Sequence, residues 1–177
     1  MNFLEKEILS VRKISTKDHK KLKNISLTYI TKESPFGNYV AVFYNDELCC
    51  LKFYEDANLN ECLEKIQESF KKAELIYKDH FEPPNQLKLY LKGTDFEVSV
   101  WTELLKIEKG KTINYNDIAT ALGNPNSVRA VGNAVGKNPI AYIVPCHRVI
   151  RKNGELGGFT AGPQRKLEMF HYEGANI

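Results

Sequence analysis

Asn114-Tyr115-Asn116-Asp117 opens a short helical run to Leu122, Gly123-Asn124-Pro125-Asn126 breaks it, and Ser127-Val128-Arg129-Ala130-Val131-Gly132-Asn133-Ala134-Val135-Gly136 resumes it. Two short helices joined by a four-residue turn have helix-turn-helix spacing. Residues three or four apart share a helix face, so Val128, Val131 and Val135 point inward. Arg129, Gly132, Asn133 and Gly136 then lie largely outward, on a face almost stripped of bulk apart from one arginine. Such a face suits a backbone pressed against a groove, with Arg129 reaching phosphates or filling the space of a displaced base. Major-groove readers display several long polar side chains, and this helix has few. Ordinary helical packing with a solvated Arg129 gives the same pattern.

Downstream, Asn138-Pro139 ends the second helix, and Asn138 is placed to satisfy backbone groups in the turn. The turn leads into Ile143-Val144-Pro145-Cys146-His147-Arg148-Val149-Ile150, a thiol and an imidazole side by side in an apolar run. A cysteine becomes a nucleophile once deprotonated, and histidine can take that proton near neutral pH. An inert core cysteine beside a structural histidine is the alternative. The glycine-dense run 153–162 then reads as a flexible wall for a planar guest, with Phe159 or Thr160 touching it. Pro163 starts a last helix that buries Leu167 and Phe170 and ends near Glu173-Gly174.

Upstream, Phe96, Val100, Trp101, Leu104, Leu105 and Ile107 form the apolar side of a helix ending near Lys109-Gly110, with Trp101 a core anchor. Residues 1–25 support at most a strand and a loop, Ser26–Lys32 a strand, and Ser34-Pro35-Phe36-Gly37 a turn. Asn38–Tyr44 and Glu47–Phe53 are strands joined through Asn45-Asp46 as a tight hairpin. Cys49 and Cys50 lie on the second, facing opposite ways. Leu59 to Ala73 is helical, striped by Leu59, Leu63, Ile66, Phe70 and Ala73, with Asn58 or Asn60 as its cap. Pro83-Pro84 is a stiff joint before a last strand carrying Leu87, Leu89 and Leu91.

The 177 residues suit one large domain or two small ones, and 42% hydrophobic with 27% charged residues is ordinary for a soluble protein. The net charge of +3 hides a basic segment: residues 110–152 hold six Lys/Arg against Asp117 alone. That local field suits an anionic polymer. The four cysteines form no CxxC pair and, with the histidines, no zinc-ligand spacing, so no metal is expected. No secretory leader or membrane-length run is seen, which points to the cytoplasm and reduced thiols.

Pro145-Cys146-His147-Arg148-Val149, with Arg129-Ala130-Val131-Gly132, Asn138-Pro139, the Gly157–Gly162 run and Glu173-Gly174, resembles the methylated-DNA–protein-cysteine methyltransferases, or O6-alkylguanine-DNA alkyltransferases. Ser34-Pro35-Phe36-Gly37 and the strands after it resemble that family's N-terminal domain, so the likeness covers about residues 30–174. It implies an α/β (α+β) chain: a ribonuclease-H-like N-terminal α/β domain over 1–92 and a mostly helical, winged-helix-like C-terminal domain over 93–177. It implies irreversible transfer of an alkyl group from O6-alkylguanine, more weakly O4-alkylthymine, in double-stranded DNA to Cys146, once per molecule. A monomer would bind the minor groove, flip the damaged nucleotide and use no cofactor.

By the same resemblance, His147 draws off the thiol proton through a water, Glu173 orients His147, and Tyr115 donates a proton to the departing purine. Arg129, Ala130, Gly132, Asn133 and Tyr115 meet DNA, with Arg129 filling the gap left by the nucleotide. Asn138, Pro145 and Arg148 brace the site. Val144, Gly157, Gly158, Phe159, Thr160, Ala161 and Trp101 form the pocket. The chain has Asn114 where the family often has serine, Phe159 where it has tyrosine, and Ala161 where glycine is frequent; Ala161 is expected to narrow the pocket. The chemistry itself explains these demands. The O6 substituent is hidden in a duplex, so the base must be extruded, and charge developing on it must meet a donor. Two rivals remain: a non-catalytic lesion binder, against which Cys146 argues, and a Cys-His-Glu hydrolase, which would turn over repeatedly and need an oxyanion donor set.

Overall fold

The computed structural model describes residues 3–22 and 25–175, which fall in two compact units, Met1–Gly93 and Thr94–Ile177. The parts of the N-terminal reading at 1–2 and 23–24 lie outside the described residues. In the first unit, β1 (Ile8–Ser15), β2 (Ile25–Lys32), β3 (Tyr39–Tyr44), β4 (Glu47–Phe53), β5 (Ala73–Tyr77) and β6 (Leu87–Gly93) form one mixed sheet ordered β1-β6-β4-β3-β2-β5. The β2–β3 and β3–β4 pairings are antiparallel; β1–β6, β4–β6 and β2–β5 are parallel. Asn45 and Asp46 both have positive φ (49° and 63°), the geometry that lets a two-residue turn follow the twist of its strands. The expected strand and loop before Ser26 gain a short helix, α1 (Thr16–His19), capped by the Ser15 hydroxyl.

Two expectations fail here. Cys49 and Cys50 do not face apart: register slips between Val42 and Phe43, leaving Cys49 unpaired in the ladder. This β-bulge brings both thiols into one buried cluster with Val40, Val42, Ile66 and Phe70. Helix α2 (Leu59–Ser69) stops four residues short of Ala73, which instead begins β5. Phe70 is the cap residue and leaves helical geometry at φ −125°, ψ 49°, so the apolar stripe ends there and Ala73 packs from the sheet. Asn58 stands at the N-cap without a side-chain bond.

In the second unit, α3 (Asp95–Leu104) begins in a reciprocal capping box between Thr94 and Glu97. It ends at Leu104, not near Gly110. Gly110 (φ 76°) sits in the turn beyond, where its N–H is used by Glu173. Helix α4 (Tyr115–Ala121) has a second box, Asn114 with Asp117, and a 3-10 turn at Pro125–Ser127 leads into α5 (Val128–Gly136). The two short helices are present as expected, joined over residues 122–127 rather than by a four-residue turn. Val131, Ala134 and Val135 are buried, whereas Val128, the first residue of α5, is only half-buried. The Trp101 indole N–H donates to the Ala134 carbonyl at 2.8 Å, tying α3 to α5. A two-stranded parallel ribbon, β7 (Ile113–Asn114) with β8 (Val149–Ile150), joins the residues before α4 to those after Cys146. Helix α6 (Pro163–Tyr172) buries Lys166, Met169 and Phe170, while Leu167 is half-buried. Among the described residues no helix is long and apolar enough to cross a membrane.

Candidate active site

Cys146 opens a 3-10 turn, Cys146–Arg148, rather than lying in extended backbone. Asn138 shapes the approach to it. Its Oδ1 accepts from the Ile140 N–H at 3.0 Å, and its Nδ2 faces the Val144 carbonyl at 2.7 Å and the Cys146 sulfur at 2.9 Å. An amide nitrogen has two hydrogens, so these two short contacts consume it, and the Ile140 carbonyl at 3.4 Å is marginal. One side chain thus fixes the turn and aims a donor at sulfur. Cys146 is 6% exposed, and burial pushes its thiol up to about 11. The Asn138 N–H, the Lys166 charge and nearby backbone amides favour the thiolate without cancelling that penalty. At neutral pH the sulfur is protonated and needs a base.

His147 is fully buried, its ring stacked on Tyr142 (5.1 Å, 5°) and edge-on to Phe170 (6.2 Å, 72°). Its Nε2 meets Glu173 Oε1 at 3.1 Å. Arg148 forks onto the same carboxylate, Nε to Oε2 at 2.9 Å and Nη2 to Oε1 at 2.7 Å, while Nη1 donates to the Ile107 carbonyl at 2.5 Å. The Gly110 N–H adds a fourth donor to Glu173 at 3.3 Å. Burial alone would raise the Glu173 pKa, but the hydrogen bonds and charges of His147 and Arg148 outweigh it and bring it to about 2. An ionised carboxylate only accepts, so the imidazole proton resides on Nε2. Burial lowers the His147 pKa despite Glu173, so the ring is neutral with its lone pair on Nδ1. That buried Nδ1 has no hydrogen-bond partner among the described residues, and no direct hydrogen bond joins the imidazole to the Cys146 thiol. The imidazole and the carboxylate are thus joined, while the thiol and the imidazole are neighbours in sequence without a direct bond.

The sulfur opens on a cavity of about 380 Å³. Tyr115 at the start of α4 forms one wall, Gly132, Val135 and Gly136 of α5 another, and Gly158, Phe159 and Thr160 a third. Thr160 donates to the Gly136 carbonyl at 2.8 Å, pinning the glycine-rich segment to the end of α5. Burial and the nearby Cys146 raise the Tyr115 pKa, so its hydroxyl stays a donor. Four expected pocket residues lie outside this lining. Trp101 (2% exposed) is committed to the core through Ala134, and Val144 is fully buried behind the turn. Gly157 (φ 66°) lies behind Tyr115, where an added Cβ would come within 3.1 Å of the phenol oxygen. The Ala161 carbonyl accepts from Arg165 at the start of α6, and its methyl does not narrow the cavity. On the outer face of α5, Arg129, Ala130, Asn133 and Gly136 are exposed and Gly132 half-buried. Arg129 makes no hydrogen bond or ion pair among the described residues.

One group escaped the sequence reading. Lys166 is fully buried and donates to the Val149 carbonyl at 2.6 Å and to the Leu156 carbonyl. It thereby closes the base of the segment that carries the pocket's third wall. Burial pulls its ammonium down to about 8, with Cys146 opposing the shift. The available signal was its position: a lysine three and four residues before Met169 and Phe170 stands on the inward stripe of α6.

A buried thiol, an imidazole oriented by a carboxylate and a cavity walled by a bare-faced helix define a protein with a cysteine placed to meet a guest in that cavity. Residues 95–175 match the family model described as 6-O-methylguanine DNA methyltransferase, DNA binding domain. The chain is 39% identical over 140 residues to a probable methylated-DNA–protein-cysteine methyltransferase of Acanthamoeba polyphaga mimivirus, covering 77% of this chain and 91% of that protein. It is 49% identical over 87 residues to the Mycobacterium tuberculosis methylated-DNA–protein-cysteine methyltransferase, covering 49% of this chain and 53% of that one. A crystal structure of Mycobacterium tuberculosis OGT in complex with DNA superposes with a TM-score of 0.63 at 33% identity, covering 83% of this chain and 93% of that chain. The chain belongs to the methylated-DNA–protein-cysteine methyltransferase family.

Proposed function

We propose that this protein reverses alkylation damage directly, moving the alkyl group from O6 of guanine, and more weakly O4 of thymine, in double-stranded DNA onto Cys146. The observation that carries the reading is the buried Cys146 thiol opening on a base-sized cavity beside a neutral His147 held by Glu173. The small outer face of α5 lies against the minor groove, and Arg129 occupies the place of the extruded nucleotide. His147 Nδ1 draws the thiol proton through a bridging water. The sulfur attacks the alkyl carbon, the C–O bond breaks, and its electron pair passes into the purine, which Tyr115 protonates. A thioether is a poor leaving group, so each molecule acts once, as a methylated-DNA–[protein]-cysteine S-methyltransferase with suicide stoichiometry.

The proposal includes a monomer acting in the cytoplasm without cofactor. It takes residues 1–92 as a ribonuclease-H-like scaffold and 93–177 as a winged-helix-like DNA-binding and acceptor domain. The mixed six-stranded sheet and the α4–α5 pair with its small β7–β8 ribbon support that division.

Incubation with duplex DNA containing O6-methylguanine is expected to add about 14 Da to Cys146, methyl replacing hydrogen, as read by intact and peptide mass. Repeated turnover without a mass gain would indicate a hydrolase, and a gain that persists in Cys146→Ser would sink the assignment. Arg129→Ala is expected to slow repair of the duplex while largely sparing reaction with free O6-benzylguanine, since only the duplex demands extrusion. Equal losses on both substrates would reject that role for Arg129.

A further inference from the structure

The first unit contains a second cavity, of about 400 Å³, between α1 and the C-terminal end of α2. Its floor is apolar: Leu22, Ile25 and Phe70. Its rim is cationic. Lys20, Lys71, Lys72 and Lys92 line it against one acid, Glu68, a local balance of +3. Lys92 is held in place over the Phe70 ring, 4.1 Å from its centroid, and donates to the Ser69 carbonyl. Lys20, Lys71 and Lys72 have no acidic partner among the described residues. Elsewhere in this unit Lys21 is paired with Asp18 and Lys65 with Glu61, so acids within reach are used where they exist.

His19 supplies an independent observation. It is 8% exposed yet lines this cavity. Its Nδ1 lies 2.9 Å from the hydroxyl of fully buried Tyr90, and this is the only hydrogen bond of either side chain among the described residues. A buried phenol must place its proton, so Tyr90 donates to Nδ1 and His19 carries its own proton on Nε2. Burial, then the Lys92 charge, push His19 down to about 4, so the ring is neutral at pH 7. Its Nε2–H has no hydrogen-bond partner among the described residues and is not sealed from solvent, on a ring that lines the cavity. Nothing in the site built around Cys146 uses any of these groups.

We propose that this cavity binds a small phosphate monoester carrying an apolar ring. The ring would lie on Leu22, Ile25 and Phe70, and the phosphate among the lysines with His19 Nε2 as a directed donor. A local charge of +3 matches a phosphate monoester, which carries about −1.5 to −2 near neutral pH, better than a singly charged carboxylate. The concave apolar floor favours an organic ester over bare phosphate, and a volume of this size is in the range of small-ligand sites. Lysines on long stems suit a point-charge phosphate contact at a rim.

The test is a titration of the ¹⁵N-labelled full chain with phenyl phosphate, inorganic phosphate and an undamaged DNA duplex, followed by NMR. Phenyl phosphate is expected to move the amide signals of Leu22, Ile25 and Phe70 saturably, about tenfold more tightly than inorganic phosphate. The double variant Lys71→Gln/Lys72→Gln should weaken that binding about tenfold while leaving the thermal midpoint and the alkyl-transfer rate unchanged. Protein already alkylated on Cys146 should titrate identically, so this result stands or falls separately from the repair reading. Equal affinity for phenyl and inorganic phosphate, undiminished binding in the double variant, or shifts produced by duplex and not by phenyl phosphate would each overturn the proposal.

Discussion

Glu173→Gln is expected to slow alkyl transfer on the order of a thousandfold or more, the scale on which neutralising a histidine-orienting carboxylate acts in other nucleophilic sites. The substitution is nearly isosteric, so the effect comes from where donors point. Each carboxylate oxygen receives two N–H groups: Oε1 from His147 and Arg148, Oε2 from Arg148 and Gly110. Whichever end of a glutamine becomes the amide nitrogen confronts two donors with two more, and no flip relieves it. His147 then loses the acceptor that holds its proton on Nε2, and Nδ1 ceases to be the assured base. Arg148, 13% exposed at its side chain, loses its counter-charge, and breaking such a pair costs about 3–5 kcal/mol. Single-turnover rates and urea unfolding measure the two effects. A folded Glu173→Gln protein reacting at the wild-type rate would remove Glu173 from the mechanism.

The same carboxylate sets an acid limit. Its folded pKa of about 2 lies below the ordinary value of 4.5, so the stability it contributes is present above pH 4.5 and is lost as pH falls toward 2. With a side chain fully out of solvent, that contribution is on the order of 3 kcal/mol.

How much of this was legible depended on the range of the forces involved. Periodicity and capping residues are local, so the α4–α5 pair, the Asn45-Asp46 hairpin and the start of α6 could be read directly. Asn138 was also readable, because its partners lie within eight residues. The bulge at Cys49 was not, since register depends on the β3 partner. Nor was the end of α3: Gly110 looks like a helix stop, but its N–H and its φ of 76° serve Glu173, 63 residues away. Pocket membership failed at Val144 because proximity in sequence to a reactive residue does not decide whether an apolar side chain faces the cavity or the core behind it. At Trp101 the apolar stripe pointed to the core and the family resemblance to the pocket, and the side chain lies in the core, bonded to Ala134.

Lys166→Met is expected to slow alkyl transfer about tenfold or more, because a change of one pKa unit alters thiolate population tenfold. The ammonium performs two tasks that one variant cannot separate. It pins the Val149 and Leu156 carbonyls, and its charge favours the Cys146 thiolate. Methionine keeps the length but drops both, leaving two buried acceptors at about 1–3 kcal/mol each, partly offset because an ammonium no longer has to be desolvated. Lys166→Gln retains an N–H donor without charge. If the charge matters, both variants lose rate, and the pH at which Cys146 becomes reactive to iodoacetamide rises in both. Recovery of wild-type rate and reactivity in the glutamine variant would reduce Lys166 to a clamp. The wild-type pH profile gives a further reading. Lys166 loses its proton near pH 8 while Cys146, at about 11, is still a thiol. Each rise in pH above 8 therefore adds hydroxide but removes the nearby cation, and Cys146 modification should climb less than tenfold per pH unit there. In Lys166→Met no cation remains to be lost, and the full tenfold slope should return.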